Sequence, residues 1–254
     1  VDNNLIGQAD FDEYSVTIPT NTLLGSASGT QATGLYDIKP ASFPLFNATV
    51  TQAGRFGKQT SVYNGFDLAV NSRFGQGGFV QGGVSSGQTV NNSCYVIDNP
   101  GQRFCETTLP FSRQLQFKFN GSYPLPAGIQ LSGVFQNMPG PTYGANGIFF
   151  FGQGMNRGFA GGYAFLPMVE PNTLHEDRFT QVDLRVAKIF RIGDSGRVRI
   201  DFDLFNLFNS RAILGVNSTY GVVFSPTQAP GAGWRMPSSV LGGRMFRFGG
   251  QVDF

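Results

Sequence analysis

Residues 178–209 carry the pattern that most restricts how this chain can fold. Apolar and polar residues alternate from Val182 to Val186, and they alternate again from Val198 to Leu204. A repeat of two residues is typical of a β-strand with two unlike faces. The residues between the two runs, 193–196, read Gly-Asp-Ser-Gly, a composition that favours a tight turn. The segment is therefore predicted to be a β-hairpin.

The polar face of this hairpin is unusual because it carries charges of both signs in mid-strand. Its charged residues, with the equivalent lysine of an earlier strand, are Lys118, Asp183, Arg185, Arg199, Asp201 and Asp203. Each would cost several kcal/mol in hydrocarbon, whereas in a watery lumen, or against a plug, these residues can pair across strands. The arms are also long enough, at roughly 10 residues, to cross a bilayer at a tilt.

Two arrangements satisfy this pattern. In a soluble sheet the charged face lies in water and the apolar face packs in a core. In a membrane barrel the six charged residues face the lumen and the apolar residues face lipid. That apolar set is Phe117, Phe119, Val182, Leu184, Ile200 and Phe202. Charged residues make up 13% of the chain, against about 25% in an average soluble domain, and this deficit favours the barrel.

The remaining composition limits the partners of the chain. Its 35 glycines and 26 phenylalanines are typical of strands and tight turns rather than helices. No run approaches the roughly 18 apolar residues of a transmembrane helix, so any contact with a membrane is expected to involve strands. The net charge is +2 without a block of lysines or arginines, which predicts no nucleic-acid partner.

Seven strands are predicted from the alternation and the turn residues between them. The two arms of the hairpin are the fifth and sixth, and the others are predicted at 61–74, 79–88, 115–123, 129–137 and 240–254. Before residue 61, prolines and a glycine-rich stretch leave at most one short strand, near Tyr14 to Ile18. The chain is therefore expected to consist of a loop segment, 1–60, and a seven-stranded segment, 61–254.

Short and long connections alternate strictly between these strands. The short ones are 75–78, 124–128 and 193–196, and the long ones are 89–110, 138–176 and 210–237. Outer-membrane barrels have short periplasmic turns and long extracellular loops. The sequence therefore predicts an all-β fold, an antiparallel up-and-down segment of a transmembrane β-barrel in the bacterial outer membrane. The long loops and residues 1–60 are expected to lie outside the cell.

The two cysteines, Cys94 and Cys105, lie in a polar connection with no histidine nearby. We expect a disulfide that closes a small loop, which indicates an oxidising compartment. A metal site and two free thiols are the alternatives. The first residues of the chain have neither the basic region nor the apolar run of a signal peptide, so a mature product or a fragment is expected.

No group of side chains predicts catalysis. His175, Glu176 and Asp177 are expected to form a solvated loop edge rather than an acid/base or metal cluster. Asp10 and its acidic neighbours lack the spacing of an EF-hand, and the glycine cluster at 75–78 lacks the helix and lysine of a phosphate loop. We therefore expect no enzyme activity, no cofactor and no metal site.

Six segments together resemble a known family. They are TGLYDIKP (33–40), YNGFDLAVNSRF (63–74), QNMPGP (136–141), DLRVAKIFRIG (183–193), DFDLFNLFN (201–209) and PSSVLGGRMFRFGGQVDF (237–254). In order and spacing they are similar to the C-terminal part of TonB-dependent outer-membrane transporters, and more narrowly to Oar-like receptors with an N-terminal carboxypeptidase-regulatory-like domain. The resemblance implies a barrel of about 22 strands around a plug, energised through a TonB box. The chain matches seven of those strands and neither the plug nor the TonB box.

The resemblance implies that the chain is the C-terminal part of the barrel of a receptor that takes up a substrate. The alternative is a separately produced or cleaved barrel fragment with a structural, self-assembling or surface-interaction role. Expected partners are membrane lipid and the remaining strands and plug of the parent receptor, with TonB bound only through the missing N-terminal part. In this family a terminal aromatic residue after alternating apolar residues is the signal for assembly. The residues that resemble this signal are Phe246, Phe248, Val252 and Phe254.

Seven strands are odd in number and too few to close a single-chain barrel. The first strand, 61–74, and the last, 240–254, would then expose unpaired backbone groups, each of which costs several kcal/mol in hydrocarbon. We therefore expect both edges to pair, either with the missing strands of the same receptor or with copies of this chain.

Overall fold

The computed structural model describes residues 2–52, 54, 59–94, 103–193 and 196–254. The strands in chain order are β1 (Asp2–Asn3), β2 (Phe11–Thr17), β3 (Gln31–Ile38), β4 (Ala48–Thr49), β5 (Thr60–Phe74), β6 (Gly78–Asn92), β7 (Glu106–Leu109), β8 (Gln116–Leu125), β9 (Ile129–Met138), β10 (Thr142–Tyr143), β11 (Asn146–Phe149), β12 (Ala164–Pro167), β13 (Leu174–His175), β14 (Phe179–Ile192), β15 (Gly196–Phe205), β16 (Ile213–Val216), β17 (Thr219–Val223), β18 (Pro237–Val240) and β19 (Met245–Asp253). Short 3-10 turns lie at Gln8–Asp10, Thr22–Ala27, Phe111–Arg113 and Pro126–Gly128. The predicted all-β class is confirmed.

The largest sheet, hereafter the main sheet, has the order β19-β15-β14-β9-β8-β6-β5. Every neighbouring pair in this order is antiparallel. Neighbours in space follow one another along the chain once the short strands of the connections are set aside, so the chain runs up and down. These seven strands correspond to the seven that the alternation predicts. β7 pairs with the end of β6 as a short additional strand.

Several predicted strand boundaries are wrong. β6 continues to Asn92, into the connection expected to start at 89. The last strand was expected from Val240, but Val240 belongs to β18, which pairs with β16, and β19 begins at Met245. Gly242 and Gly243 lie between these strands and interrupt the alternation, which explains the difference.

Short and long connections alternate as predicted. The short ones, 75–77, 126–128 and 193–195, lie at one end of the main sheet, although Asp194 and Ser195 fall outside the described residues. Gly75 and Gly193 adopt φ values of 56° and 61°, the left-handed conformation that glycine provides in tight turns. The long connections therefore share the opposite end, where the N-terminal segment also enters β5.

The N-terminal segment and the two longest connections fold together at that end; we call residues 2–52, 139–178 and 206–244 the cap. β2 pairs with β3, β10 with β13, and β16 with β18, while β11 pairs with β12 and, in parallel, with β17. The prediction of at most one short strand before residue 61 is wrong, because β2 and β3 form an antiparallel pair there. The two longest connections likewise contain paired strands rather than irregular loop alone.

The largest buried hydrophobic cluster belongs to the cap. It consists of Tyr14, Val16, Ile18, Leu24, Ala32, Leu35, Ala145, Phe149, Phe159, Leu166, Met168, Val169, Tyr220, Val223 and Trp234. The indole of Trp234 packs 4.9 Å from the ring of Tyr220 and donates from Nε1 to the carbonyl oxygen of Gly144 at 3.0 Å. Three segments that are distant in sequence thus share one core.

Candidate functional site

The main sheet has a polar face and an apolar face, and the strand register determines which residues share each. Directly paired residues of antiparallel strands point to the same face. Arg185 pairs with Asp203 across β14 and β15, and Lys118 is linked through Gln136 to Gln181, two residues before Asp183. All six charged residues singled out from the sequence therefore lie on one face: Lys118, Asp183, Arg185, Arg199, Asp201 and Asp203.

Asp203 is the centre of a charge network on this polar face. Arg185 donates from Nε to one carboxylate oxygen of Asp203 and from Nη2 to the other at 3.1 Å. Arg247, on the other neighbouring strand, donates from Nε to Oδ2 of Asp203 at 2.7 Å. The side chain of Asp203 is only 3% exposed. Two guanidinium groups satisfy this buried carboxylate, which makes its burial tolerable.

Asp201 and Asp183 on the polar face also have partners. Arg199 donates from Nε to Asp201 at 2.6 Å. Gln181 donates to both carboxylate oxygens of Asp183, at 2.9 and 3.0 Å, and the backbone N–H of Asn206 donates to Asp183 at 2.8 Å. Lys118, by contrast, is exposed. The charges therefore pair within and across strands, as expected for a face that is not in contact with hydrocarbon.

A concave region lies on the same face beside the charge network. It is a cavity of about 410 Å³ whose lining includes Asn120, Ser122, Gln130, Ser132, Arg185 and Arg199. Ser122 accepts a hydrogen bond from Gln130 at 2.9 Å and from Ser132 at 3.0 Å. The cavity lining thus offers hydrogen-bond donors and acceptors as well as charged groups of both signs. Such a lining suits water, a polar ligand or a protein segment.

The opposite face is apolar and largely exposed. Phe248 is 77% exposed and Ile200 is 50% exposed, while the ring of Phe202 packs 5.1 Å from that of Phe248. The register places all six residues expected on this face there: Phe117, Phe119, Val182, Leu184, Ile200 and Phe202. Other exposed apolar residues of the face include Phe66, Leu68, Val70, Leu131, Phe135 and Val186. Soluble monomers rarely expose a continuous apolar patch beyond a few hundred Å².

The predicted disulfide between Cys94 and Cys105 is present. Cys94 follows the end of β6 and Cys105 precedes β7, at the same end of the main sheet as the cap. The polar residues 95–102 between them, which supported the prediction, lie outside the described residues. Two free thiols and a metal site, the alternatives, are therefore wrong for this pair.

The residues expected to form an assembly signal lie on or just after the outer strand β19. Phe246, Phe248, Val252 and Phe254 are all exposed. Among the described strands, β19 pairs only with β15 and β5 pairs only with β6. One edge of each outer strand is thus open within the described part of the chain, and the pairing of these edges with further strands stays a prediction.

The structure adds a charged site in the cap that the sequence did not predict. Arg157 donates to Asp12 at 2.9 Å, to Asp37 at 2.6 Å and to the backbone carbonyl of Ile38 at 3.0 Å. Burial lowers the pKa of the Arg157 guanidinium, but the hydrogen bonds and charges of Asp37 and Asp12 more than reverse this, so that its pKa is raised. Arg157 therefore joins the β9–β14 connection to β2 and β3.

The groups considered as catalytic or metal-binding are engaged in local contacts. Nδ1 of His175 lies 3.2 Å from the carbonyl oxygen of Glu176. Asp10 accepts hydrogen bonds from the backbone N–H of Gly7 at 2.8 Å and from the hydroxyl of Ser42 at 2.7 Å. The described residues contain no group of three or more His, Cys, Asp or Glu side chains placed to hold a metal ion.

Comparisons with known proteins do not identify the chain. No family model matches it, and neither a curated protein nor a solved structure gives a match. Within the described residues, no helix has the length and apolarity needed to cross a membrane. A functional assignment therefore depends on the two faces of the main sheet and on the cap.

Proposed function

We propose that the chain is a segment of a transmembrane β-barrel, with the apolar face of the main sheet in lipid and the polar face toward the barrel interior. More narrowly, we propose that it is the C-terminal part of the barrel of a TonB-dependent, Oar-like outer-membrane receptor that takes up a substrate. The observation that carries the proposal is the distribution of burial: the Asp203 side chain is 3% exposed while Phe248, on the opposite face, is 77% exposed.

The two faces differ in what each would cost in lipid and in water. Moving a half-exposed large apolar side chain out of water contributes about 1 kcal/mol, so the exposed residues of the apolar face together favour a hydrocarbon environment. Charged side chains on the polar face would each cost several kcal/mol in hydrocarbon. In a bilayer both free energies are favourable only when the apolar face of the main sheet contacts lipid and the polar face does not.

Strand lengths support the same proposal. β5 and β6 have 15 residues each, β14 has 14 and β15 has 10, and a tilted strand needs about 9–11 residues to cross the hydrocarbon core. The short connections at one end and the folded cap at the other match the periplasmic and extracellular ends of an outer-membrane barrel. The cap is therefore proposed to be extracellular, where a substrate is first met.

A labelling experiment tests the orientation of the main sheet. Val252→Cys and Gln251→Cys place a single free thiol on the apolar and the polar face of β19, one residue apart. Each variant of the full-length gene product, in isolated outer membranes, is labelled with an environment-sensitive fluorophore. Nitroxide-labelled lipid should quench the label at 252, and aqueous iodide should quench the label at 251. Equal lipid quenching at both positions, or none at either, would contradict the proposal.

A second function is kept because both outer edges of the main sheet are open within the described residues. A separately produced or cleaved piece could use these edges for self-assembly or for a structural role. The reading frame upstream of Val1 distinguishes the two. A plug and a TonB box encoded in frame support the receptor, whereas a signal peptide directly before Val1 supports the separate piece.

A further inference from the structure

The disulfide joins β7 to the end of β6; we call residues 89–94 and 103–109 the cysteine hairpin. Its two sides pair at 89–92 and 106–109. Ser93 donates to the carbonyl oxygen of Cys105 twice, from the backbone N–H at 2.8 Å and from Oγ at 3.1 Å. The covalent link therefore fixes where the residues just before Cys105 lie relative to β6.

One of those residues, Arg103, reaches from the hairpin into the cap. It donates from Nε to the carbonyl oxygen of Pro167 at 3.1 Å and from Nη2 to that of Met168 at 3.3 Å. Burial lowers the pKa of the Arg103 guanidinium, and no described carboxylate forms a salt bridge with it. Carbonyl dipoles alone compensate this cation poorly, so the contact depends on being held in place.

The neighbouring residue shows how the hairpin holds Arg103. Phe104 has a φ of 56°, a left-handed conformation that a bulky residue adopts only where its surroundings enforce it. This conformation places the Phe104 ring 4.4 Å from the guanidinium of Arg103. The ring and the two carbonyl oxygens thus hold one cation, and the disulfide follows directly at Cys105.

The segment that receives Arg103 belongs to the core of the cap. Leu166, Met168 and Val169 are all buried there. Farther along, Nδ2 of Asn172 donates to the carbonyl oxygen of Thr108 in the cysteine hairpin at 3.3 Å. Residues 166–172 are therefore held on one side by the cap core and on the other by the hairpin.

We propose that the cysteine hairpin is a thiol-sensitive clasp on the cap, which a dithiol reductant opens. The S–S bond breaks, two electrons and two protons pass from the reductant to the sulfurs of Cys94 and Cys105, and the reductant forms its own disulfide. Without the link, Arg103 leaves the carbonyl oxygens of the cap and residues 166–172 loosen, while the main sheet stays assembled. The exposed position of Cys94 gives the reductant access. The proposal rests on contacts within the chain and holds whether or not the main sheet lies in a membrane.

Hydrogen–deuterium exchange of the full chain, with and without dithiothreitol, tests the clasp. Amide exchange in 166–172 should speed up by at least about tenfold on reduction, because Arg103 loses both of its hydrogen bonds to the cap and losing one hydrogen bond of a charged group already corresponds to about that factor. Exchange in β9 and β14, in the middle of the main sheet, should not change. Reoxidation should restore the slow exchange.

Variants separate the disulfide from the arginine. Arg103→Ala should give fast exchange in 166–172 without any reductant, and the double variant Cys94→Ser, Cys105→Ser should do the same. Arg211→Ala, which removes an exposed arginine elsewhere in the cap, is the control and should leave exchange unchanged. The proposal is overturned if reduction leaves 166–172 unchanged, if Arg103→Ala has no effect, or if reduction raises exchange in β9 and β14 to the same extent.

Discussion

Replacing Asp203 by Asn should be the most destabilising conservative change on the polar face. Its carboxylate accepts hydrogen bonds from Arg185 and Arg247, and it is almost completely buried. A hydrogen bond to a charged group contributes about 1.5–3 kcal/mol. Arg185 and Arg247 are 37% and 59% exposed, so both regain water when the carboxylate is lost, which reduces the penalty. We therefore expect a loss of about 3 kcal/mol in the free energy of unfolding, below the upper range for a fully buried pair.

Two other aspartates of the same face provide matched controls. Among the described residues only Arg199 donates a hydrogen bond to Asp201, so Asp201→Asn should cost about 1 kcal/mol. Asp253 is exposed, accepts a hydrogen bond from Gln251 and forms no salt bridge with a described residue, so Asp253→Asn should cost no more than about 0.5 kcal/mol. The three variants are compared by urea unfolding of the chain in lipid vesicles. If Asp203→Asn is no more destabilising than Asp253→Asn, the network does not stabilise the main sheet and the reasoning fails.

Three further predictions concern the apolar face, the β9–β14 connection and the N-terminal segment. Phe248→Arg should reduce membrane assembly, because a midplane arginine on the lipid face costs about 2–4 kcal/mol, while Gln251→Arg on the polar face should not; electrophoretic mobility with and without heating checks both. Gly140→Ala should lower the thermal unfolding temperature, because its Cβ would lie 2.3 Å from two backbone carbonyl oxygens. Gly242→Ala is the control and should leave that temperature unchanged, because a Cβ there would have no atom within 4 Å. The pKa of the Asp10 carboxyl lies below its ordinary value of 3.8, first because the backbone N–H of Gly7 donates to it and then because the hydroxyl of Ser42 does. The carboxylate therefore stabilises the fold above pH 3.8, and this stabilisation is lost as the pH falls through the lowered pKa. Asp10→Asn should accordingly change the pH dependence of unfolding only below about pH 4.

The main sheet could be predicted because its information is local. Alternation within ten residues identifies each strand, glycine at positions such as Gly75 and Gly193 marks the turns, and the same alternation assigns residues to faces. The strand ends could not be predicted to the residue, because nothing local distinguishes the last paired residue of β6, Asn92, from the connection that follows. The disulfide was predictable because the chain has only these two cysteines, close together in sequence.

The cap could not be predicted because its contacts are not local. Arg157 and its partners Asp12 and Asp37 are 145 and 120 residues apart, and no periodic pattern connects them. Each strand of the cap is short, and prolines and glycines between them are typical of loops. Only the joint burial of three segments makes these strands stable, and that burial is a property of the assembled chain.

The long sequence separation between contacting residues of the cap core predicts the order in which the chain folds. The hairpins β5–β6, β8–β9 and β14–β15 each close over a short turn, whereas Asn21 and Tyr220, which are within hydrogen-bond distance in the cap, are 199 residues apart. Closing long loops costs more entropy than closing short ones, and distant contacts form more slowly. We therefore expect the strand ends to lie side by side before the three segments meet. The single tryptophan of the chain, Trp234, is buried in the cap core, so its fluorescence is expected to change last and to report the completion of folding.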